Sequence, residues 1–177
     1  MDIKKELDEY KTVLLVIPGQ EYSTVVLDTM KSLSGNTVGY VTLNKTFGSL
    51  KDLFAKNNIS LDNVVFIDGI SKMVMDVPSQ TDGCYFVSSP SSLTELSILI
   101  GRLLNHNFKY IIFDSLTNLY IYKDKDAVTK FISLIINKIE SHEANSIFFA
   151  VKYSDQEKVI EEISMFFNKV IDLKTEH

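Results

Sequence analysis

Apolar residues in this chain fall in short unbroken runs, separated by polar turns and by stretches with helical spacing. Val13 to Ile17 (VLLVI) stops at Pro18-Gly19, Val38 to Leu43 forms a second run, and Val64 to Ile67 (VVFI) a third, closed by Asp68-Gly69. Tyr110 to Phe113 is apolar without alternation and ends on Asp114 and Ser115, and Ser146 to Val151 (SIFFAV) repeats the pattern. Runs of this kind mark strands buried on both faces, as in a parallel sheet covered by helices. Between them, Val25, Val26, Met30 and Leu33 recur at helical spacing within Gln20 to Leu33, and Ser34-Gly35-Asn36 supplies the stop. Helices are also predicted over Phe47 to Asn57, from Ser92 to about Asn105, over Asp126 to Glu143 and over 155–167. Ser92 and Glu95 have the spacing of a capping box. In the long helix Phe131, Leu134, Ile135 and Ile139 are expected on one side. Residues 2–11 read as a short helix or arm, 71–83 as a loop, Tyr85 to Val87 as a small strand and Val170 to Leu173 as a last strand. Strands alternating with helices predict an α/β fold of three layers, a mostly parallel sheet with helices on both faces.

Length and composition narrow the class. A chain of 177 residues fits one domain spanning 1–177. The net charge of −5 and the absence of a Lys/Arg cluster disfavour a nucleic-acid partner, whose phosphates need neutralising. The lone Cys84 excludes an intrachain disulfide and a cysteine-based zinc site, and is expected to be a small half-buried side chain. No apolar run approaches the ~20 residues needed to span a bilayer, and the charged amino terminus lacks a signal-peptide core. The expected location is cytoplasmic, with no membrane partner.

The candidate chemistry sits at strand ends, where open α/β sheets bind ligands. Asp114 is placed to hold Mg²⁺ or orient a water, or more plainly to cap the turn after its strand. Asp68 could join it near one metal, but reads more simply as a turn-former. His106, His142 and His177 lie in no metal-ligand spacing and read as surface residues. Ser88, Ser89, Ser91 and Ser92 have no nearby histidine in sequence and no nucleophile elbow, so a helix start explains them. Tyr120, Ile121 and Tyr122 are core or, if exposed, a patch suited to a partner.

Six segments in one order resemble the RecA-like P-loop ATPases, and within them the KaiC-like branch found in signalling proteins. They are VLLVIPG at 13–19, GNTVGYVTLN at 35–44, NVVFIDGIS at 63–71, SPSSLTELS at 89–97, YIIFDSLTNLYIY at 110–122 and SIFFAV at 146–151. The resemblance implies the RecA-like P-loop fold, with Asp114 and Ser115 matching the strand that ends in Asp-Ser. It also implies a phosphate loop of the form G-x-x-x-x-G-K-[ST], whose lysine reaches the β- and γ-phosphates and whose hydroxyl binds Mg²⁺. Aligned on Pro18-Gly19, the second glycine becomes Glu21 and the lysine becomes Tyr22, while the hydroxyl survives as Ser23 with Thr24 beside it. The acidic residues that follow the second strand in the relatives are replaced by Asn44 and Lys45. Neither can accept a proton as a carboxylate would. The chain also ends soon after Leu173, where relatives carry further strands and basic residues that contact nucleotide in a neighbouring subunit.

A like-charge pair at ~4 Å costs roughly 4 kcal/mol at an effective dielectric of about 20, so Glu21 facing the loop would oppose a triphosphate. Near a helix start Glu21 is expected to take the electrostatic role of a phosphate, with a solvated first-turn residue as the alternative. Lys45 is expected to be a solvated surface residue rather than a replacement cation. Three readings follow. The first is a non-catalytic, pseudo-ATPase RecA/KaiC-like domain without cofactor, a regulatory or protein-interaction module in signal transduction, with a protein partner or a homo-oligomer. The second is a protein that binds Mg-ATP or Mg-ADP with weak or no hydrolysis, through Gly19, Ser23, Thr24, Asp114 and Ser115, with Asp114 on the metal. The third is a working ATPase with a rearranged site, which needs three substitutions to be compensated.

Overall fold

Among the described residues seven strands run parallel, and one short strand pairs antiparallel at an edge. The computed structural model describes residues 2–153 and 157–173. In chain order the described elements are α1 (Ile3–Glu9), β1 (Thr12–Pro18), a 3-10 turn (Gly19–Glu21), α2 (Tyr22–Ser32), β2 (Val38–Thr42), α3 (Phe47–Lys56), β3 (Val64–Asp68) and α4 (Ser71–Val74). There follow β4 (Gln80–Thr81), β5 (Cys84–Phe86), α5 (Leu93–Asn105), β6 (Tyr110–Asp114), α6 (Leu116–Tyr122), α7 (Lys125–Glu140), β7 (Asn145–Lys152), α8 (Glu157–Ser164) and β8 (Lys169–Asp172). The sheet order is β4-β5-β3-β2-β6-β7-β1-β8.

Strand residues alternate between two apolar cores, one on each face, because successive side chains of a strand point to opposite sides. Leu14, Val16, Val41, Ile111, Phe113 and Phe148 enter the core shared with α5, α6, α7 and α8. Val13, Leu15, Tyr40, Ile112, Ile147 and Phe149 enter the core under α1, α2 and α3. This is the three-layer α/β arrangement predicted from the strand pattern. The first core is knitted by Phe113 stacked on Phe148, with ring centroids 5.3 Å apart. Such pairs add roughly 0.5–1.5 kcal/mol beyond their burial. Gly39 lets β2 approach α5, since a Cβ there would lie 2.6 Å from Leu103 Cδ1 and 2.9 Å from Ile111 Cδ1.

Helix starts follow side-chain caps where the sequence supplies them. The carboxylate of Asp2, the hydroxyl of Thr46 and the carboxylate of Asp124 accept from the backbone N–H of Lys5, Ser49 and Ala127. The expected Ser92–Glu95 capping box does not form. Ser92 gives no side-chain cap, and Glu95 instead accepts from the backbone and hydroxyl of Ser88, at 3.2 and 2.7 Å. The segment 71–83 is not all loop: it contains α4 and β4. Asp68 starts α4 by accepting from the N–H of Ile70 and Ser71, and β4 folds back on β5. In α7 the buried side is Val128, Phe131, Ile132, Ile135, Ile136 and Ile139, whereas Leu134 is 64% exposed. Isoleucines at 132 and 136 carry the buried stripe past it. Cys84 is buried rather than half-buried, and burial pushes its thiol up, away from reactivity.

Among the described residues no helix is long and apolar enough to cross a membrane. His106 and His142 each place Nδ1 against a carbonyl one turn back, Arg102 and Lys138, and among the described residues neither joins a metal-ligating group. The reading of His177 lies outside the described residues, as do the first residues of the helix predicted over 155–167.

Candidate functional site

The parallel strands β1, β2, β3 and β6 end at Pro18, Thr42, Asp68 and Asp114 on one rim of the sheet. Asp114 shares its side of β6 with Tyr110 and Ile112, the face covered by α2. Tyr40, two residues before the end of the adjacent β2, points to the same face. Tyr22, the first residue of α2, comes down over both.

The three side chains meet at one oxygen. The Tyr22 hydroxyl donates to Asp114 Oδ2 at 2.5 Å, and the Tyr40 hydroxyl donates to the same atom at 2.6 Å. Asp114 is fully buried, and its other oxygen, Oδ1, has no hydrogen-bond partner among the described residues. Burial raises the Asp114 carboxyl to about 6, against the downward pull of the two hydroxyls and the Lys45 ammonium. Burial and the neighbouring carboxylate push both tyrosine hydroxyls well above their usual range, so they stay protonated donors. Lys45, half-buried, places Nζ 5.8 Å from the centroid of the Tyr22 ring.

The predicted site residues separate into two groups. Gly19, Ser23 and Thr24 lie exposed where the chain enters α2. Asp114 and Ser115 are buried, joined by a cis peptide bond. The Ser115 hydroxyl lies 3.2 Å from that of Thr117, whose oxygen accepts the Val151 N–H. Neither Ser23 nor Thr24 hydrogen-bonds to the Asp114 carboxylate; Tyr22, between Gly19 and Ser23 in the loop, makes that connection.

Glu21 does not take the role expected of it. It precedes α2, but its carboxylate caps no N–H at the helix start. The helix start finds its tie to the sheet through Tyr22 instead. Lys45 likewise departs from the solvated surface reading, because the turn after β2 folds it over Tyr22; the Thr42 hydroxyl accepts the Lys45 N–H and donates to its carbonyl. Asp68 is the turn-former it reads as: its two oxygens accept from the N–H groups of Phe47, Ile70 and Ser71 and from the Ser71 hydroxyl. Asp68 and Asp114 share no partner. Tyr120 is partly buried, while Ile121 is 66% and Tyr122 38% exposed at the end of α6.

Sequence reasoning missed Tyr40 and the role of Tyr22. One signal was available for Tyr40. A tyrosine inside an otherwise apolar buried strand needs a partner for its hydroxyl, and a strand-end aspartate is a near candidate.

Comparison with known proteins gives a fold and a family. The chain is similar in structure to the KaiC-like protein PH0186 from the hyperthermophilic archaeon Pyrococcus horikoshii OT3, with a TM-score of 0.67 and 14% sequence identity. The similarity covers 94% of this chain and 73% of that one, and places the fold among the KaiC-like, RecA-type α/β proteins. No curated protein matches the sequence. Residues 54–177 match the model of a family of unknown function, DUF7090; the matched part begins within α3 and includes Asp114 but not Tyr22. With most of its length matched, the chain belongs to DUF7090.

Proposed function

We propose that this protein is a non-catalytic RecA/KaiC-like domain that works as a regulatory or protein-interaction module. The observation that carries the reading is the Tyr22–Asp114 hydrogen bond. The residue standing where the resemblance expects a phosphate-binding lysine has its head on the aspartate expected to serve Mg²⁺. Three features support it together. Asp114 Oδ2 is engaged by two hydroxyls, Glu21 brings a carboxylate to the loop, and no acidic side chain occupies the positions of Asn44 and Lys45. Phosphoryl transfer works by positioned charge, and here the loop lysine is replaced by Tyr22 and a carboxylate, Glu21, stands beside it. Equilibrium binding of Mg-ATP and Mg-ADP tests the proposal, which expects neither to bind at millimolar concentration.

One observation favours the second reading, a protein that holds Mg-ATP or Mg-ADP without efficient hydrolysis. Lys45 brings a cation 5.8 Å from the ring centroid of Tyr22, the residue that stands where the resemblance expects the loop lysine. On that reading Tyr22 swings aside, Lys45 meets phosphate, and Ser23 and Asp114 serve Mg²⁺. Saturable binding lost in Lys45→Ala would select it.

A further inference from the structure

Among the described residues the sheet ends at β8 on one side and at β4 on the other. An edge strand exposes a row of N–H and C=O groups, which proteins blunt by shortening the strand or by projecting charges from it. β4 is blunted, being two residues long. β8 is longer and, among the described residues, pairs with β1 alone. The Leu173 N–H donates to the Val16 carbonyl at 2.9 Å. Bonding to one parallel neighbour uses every second residue, so Ile171 and Leu173 turn their backbone groups to β1, and Val170 and Asp172 turn theirs outward. The two charges of β8 do not guard this row. Lys169 places Nζ 5.2 Å from the centroid of the Tyr10 ring. The Asp172 carboxylate accepts from Lys152 Nζ at 2.7 and 2.8 Å, which draws it toward β7, two strands inward. Between β8 and α8 lies a groove of about 250 Å³. Pockets for drug-sized ligands run to about 300–1,000 Å³, so this one suits a side chain rather than a small molecule. Val16, Ile160 and Val170 form its apolar wall, and Val170 is 40% exposed. Its charges are Glu157 and Glu161, both exposed on α8, and the Asp172–Lys152 pair. Three carboxylates stand there against one ammonium, so the groove is acidic.

We propose that the β8 edge receives an added strand from a protein partner, an extended segment that places an apolar side chain in the groove and basic side chains against Glu157 and Glu161. Backbone bonds to the outward groups of Val170 and Asp172 supply the pairing, and the side chains supply the selection, as in other strand additions. Glu157 and Glu161 are one turn apart, about 6 Å along α8. Same-face neighbours of a strand are about 6.6 Å apart, so basic residues at alternate positions can each meet one glutamate. The acidic groove selects for such a segment and against an acidic one. This inference rests on the reading of the protein as an interaction module and gives that module a partner class.

The probe is the acetylated and amidated peptide Lys-Thr-Lys-Thr-Val-Thr-Lys-Thr-Lys, titrated into the full chain and followed by NMR. No nucleotide is present, so the outcome is independent of whether Mg-ATP binds. Saturable shifts are expected at Val170 and Asp172, with slower amide exchange at those two residues and no change at Ile171 and Leu173, which already bond to β1. The same peptide with Glu for every Lys should bind about tenfold more weakly. The Lys peptide should lose a similar factor against the double variant Glu157→Lys, Glu161→Lys, whose changes lie on the exposed side of α8. No saturable shift at millimolar peptide, binding that leaves the Val170 and Asp172 amides unprotected, or equal binding of the Glu peptide would overturn the proposal. So would Val170 and Asp172 amides already protected in a dimer before peptide is added, which would make a second copy of the chain the occupant.

Discussion

The Tyr22 hydroxyl lies 2.5 Å from Asp114 Oδ2, joining the first residue of α2 to the last residue of β6. Removing that hydroxyl leaves Asp114 with Tyr40 alone. Hydrogen bonds to charged groups contribute roughly 1.5–3 kcal/mol. Tyr22→Phe is therefore expected to destabilise the fold by about 2 kcal/mol at pH 8, read as a lower urea midpoint with unchanged slope. An unchanged midpoint would mean that the hydroxyl contributes nothing.

Asp114 itself is expected to weaken the fold at neutral pH. Its carboxyl value is raised on folding, from 3.8 to about 6, with burial as the main cause. A carboxyl raised on folding favours the folded state only while it is protonated. Its adverse contribution is absent below the unfolded value, grows as pH rises between the two values, and is complete above the folded one. Asp114→Asn should raise stability by on the order of 2 kcal/mol at pH 8 and by much less at pH 4. Thermal melts across that range check it, and a variant less stable at pH 8 would contradict it.

Asp68 makes the opposite case. Its carboxylate serves Phe47, Ile70 and Ser71, so it organises the starts of both α3 and α4. Asp68→Ala would orphan these donors and should cost about 3 kcal/mol or more. In a chain of this size that lowers the melting temperature by roughly 6–12 °C. A change under about 2 °C would mean that water replaces the carboxylate at no cost.

Gly39 tests the packing of β2 against α5. Its missing Cβ would meet Leu103 Cδ1 at 2.6 Å and Ile111 Cδ1 at 2.9 Å. Gly39→Ala should cost about 1–3 kcal/mol, as overpacked cores do. Gly48 has nothing within 4 Å of the same position, so Gly48→Ala is the matched control.

Legibility in the sequence followed burial. The central strands were readable because burial on both faces leaves an unbroken apolar run, as in Val13 to Ile17 and Tyr110 to Phe113. α4 and β4 escaped because elements of four and two residues carry too few positions to show a period. Leu134 misled because residues 132 and 136 also bury, which turns the buried stripe away from it. Of the site, Asp114 and the substitution of Tyr22 were visible, but not their contact. Tyr22 and Asp114 are 92 positions apart, and only the parallel pairing of β2 with β6, which brings Tyr40 beside Ile112, assembles the trio.

The central claim is that the start of α2 holds no nucleotide. A thermal melt with millimolar Mg-ATP or Mg-ADP, against Mg²⁺ alone, tests it most directly. A ligand at 100 times its dissociation constant stabilises a fold by about 2.7 kcal/mol, which in a chain of this size is a rise of roughly 5–11 °C. The account predicts no rise with either nucleotide. A saturable rise that disappears in Lys45→Ala or Asp114→Ala would contradict it and make this a nucleotide-binding protein.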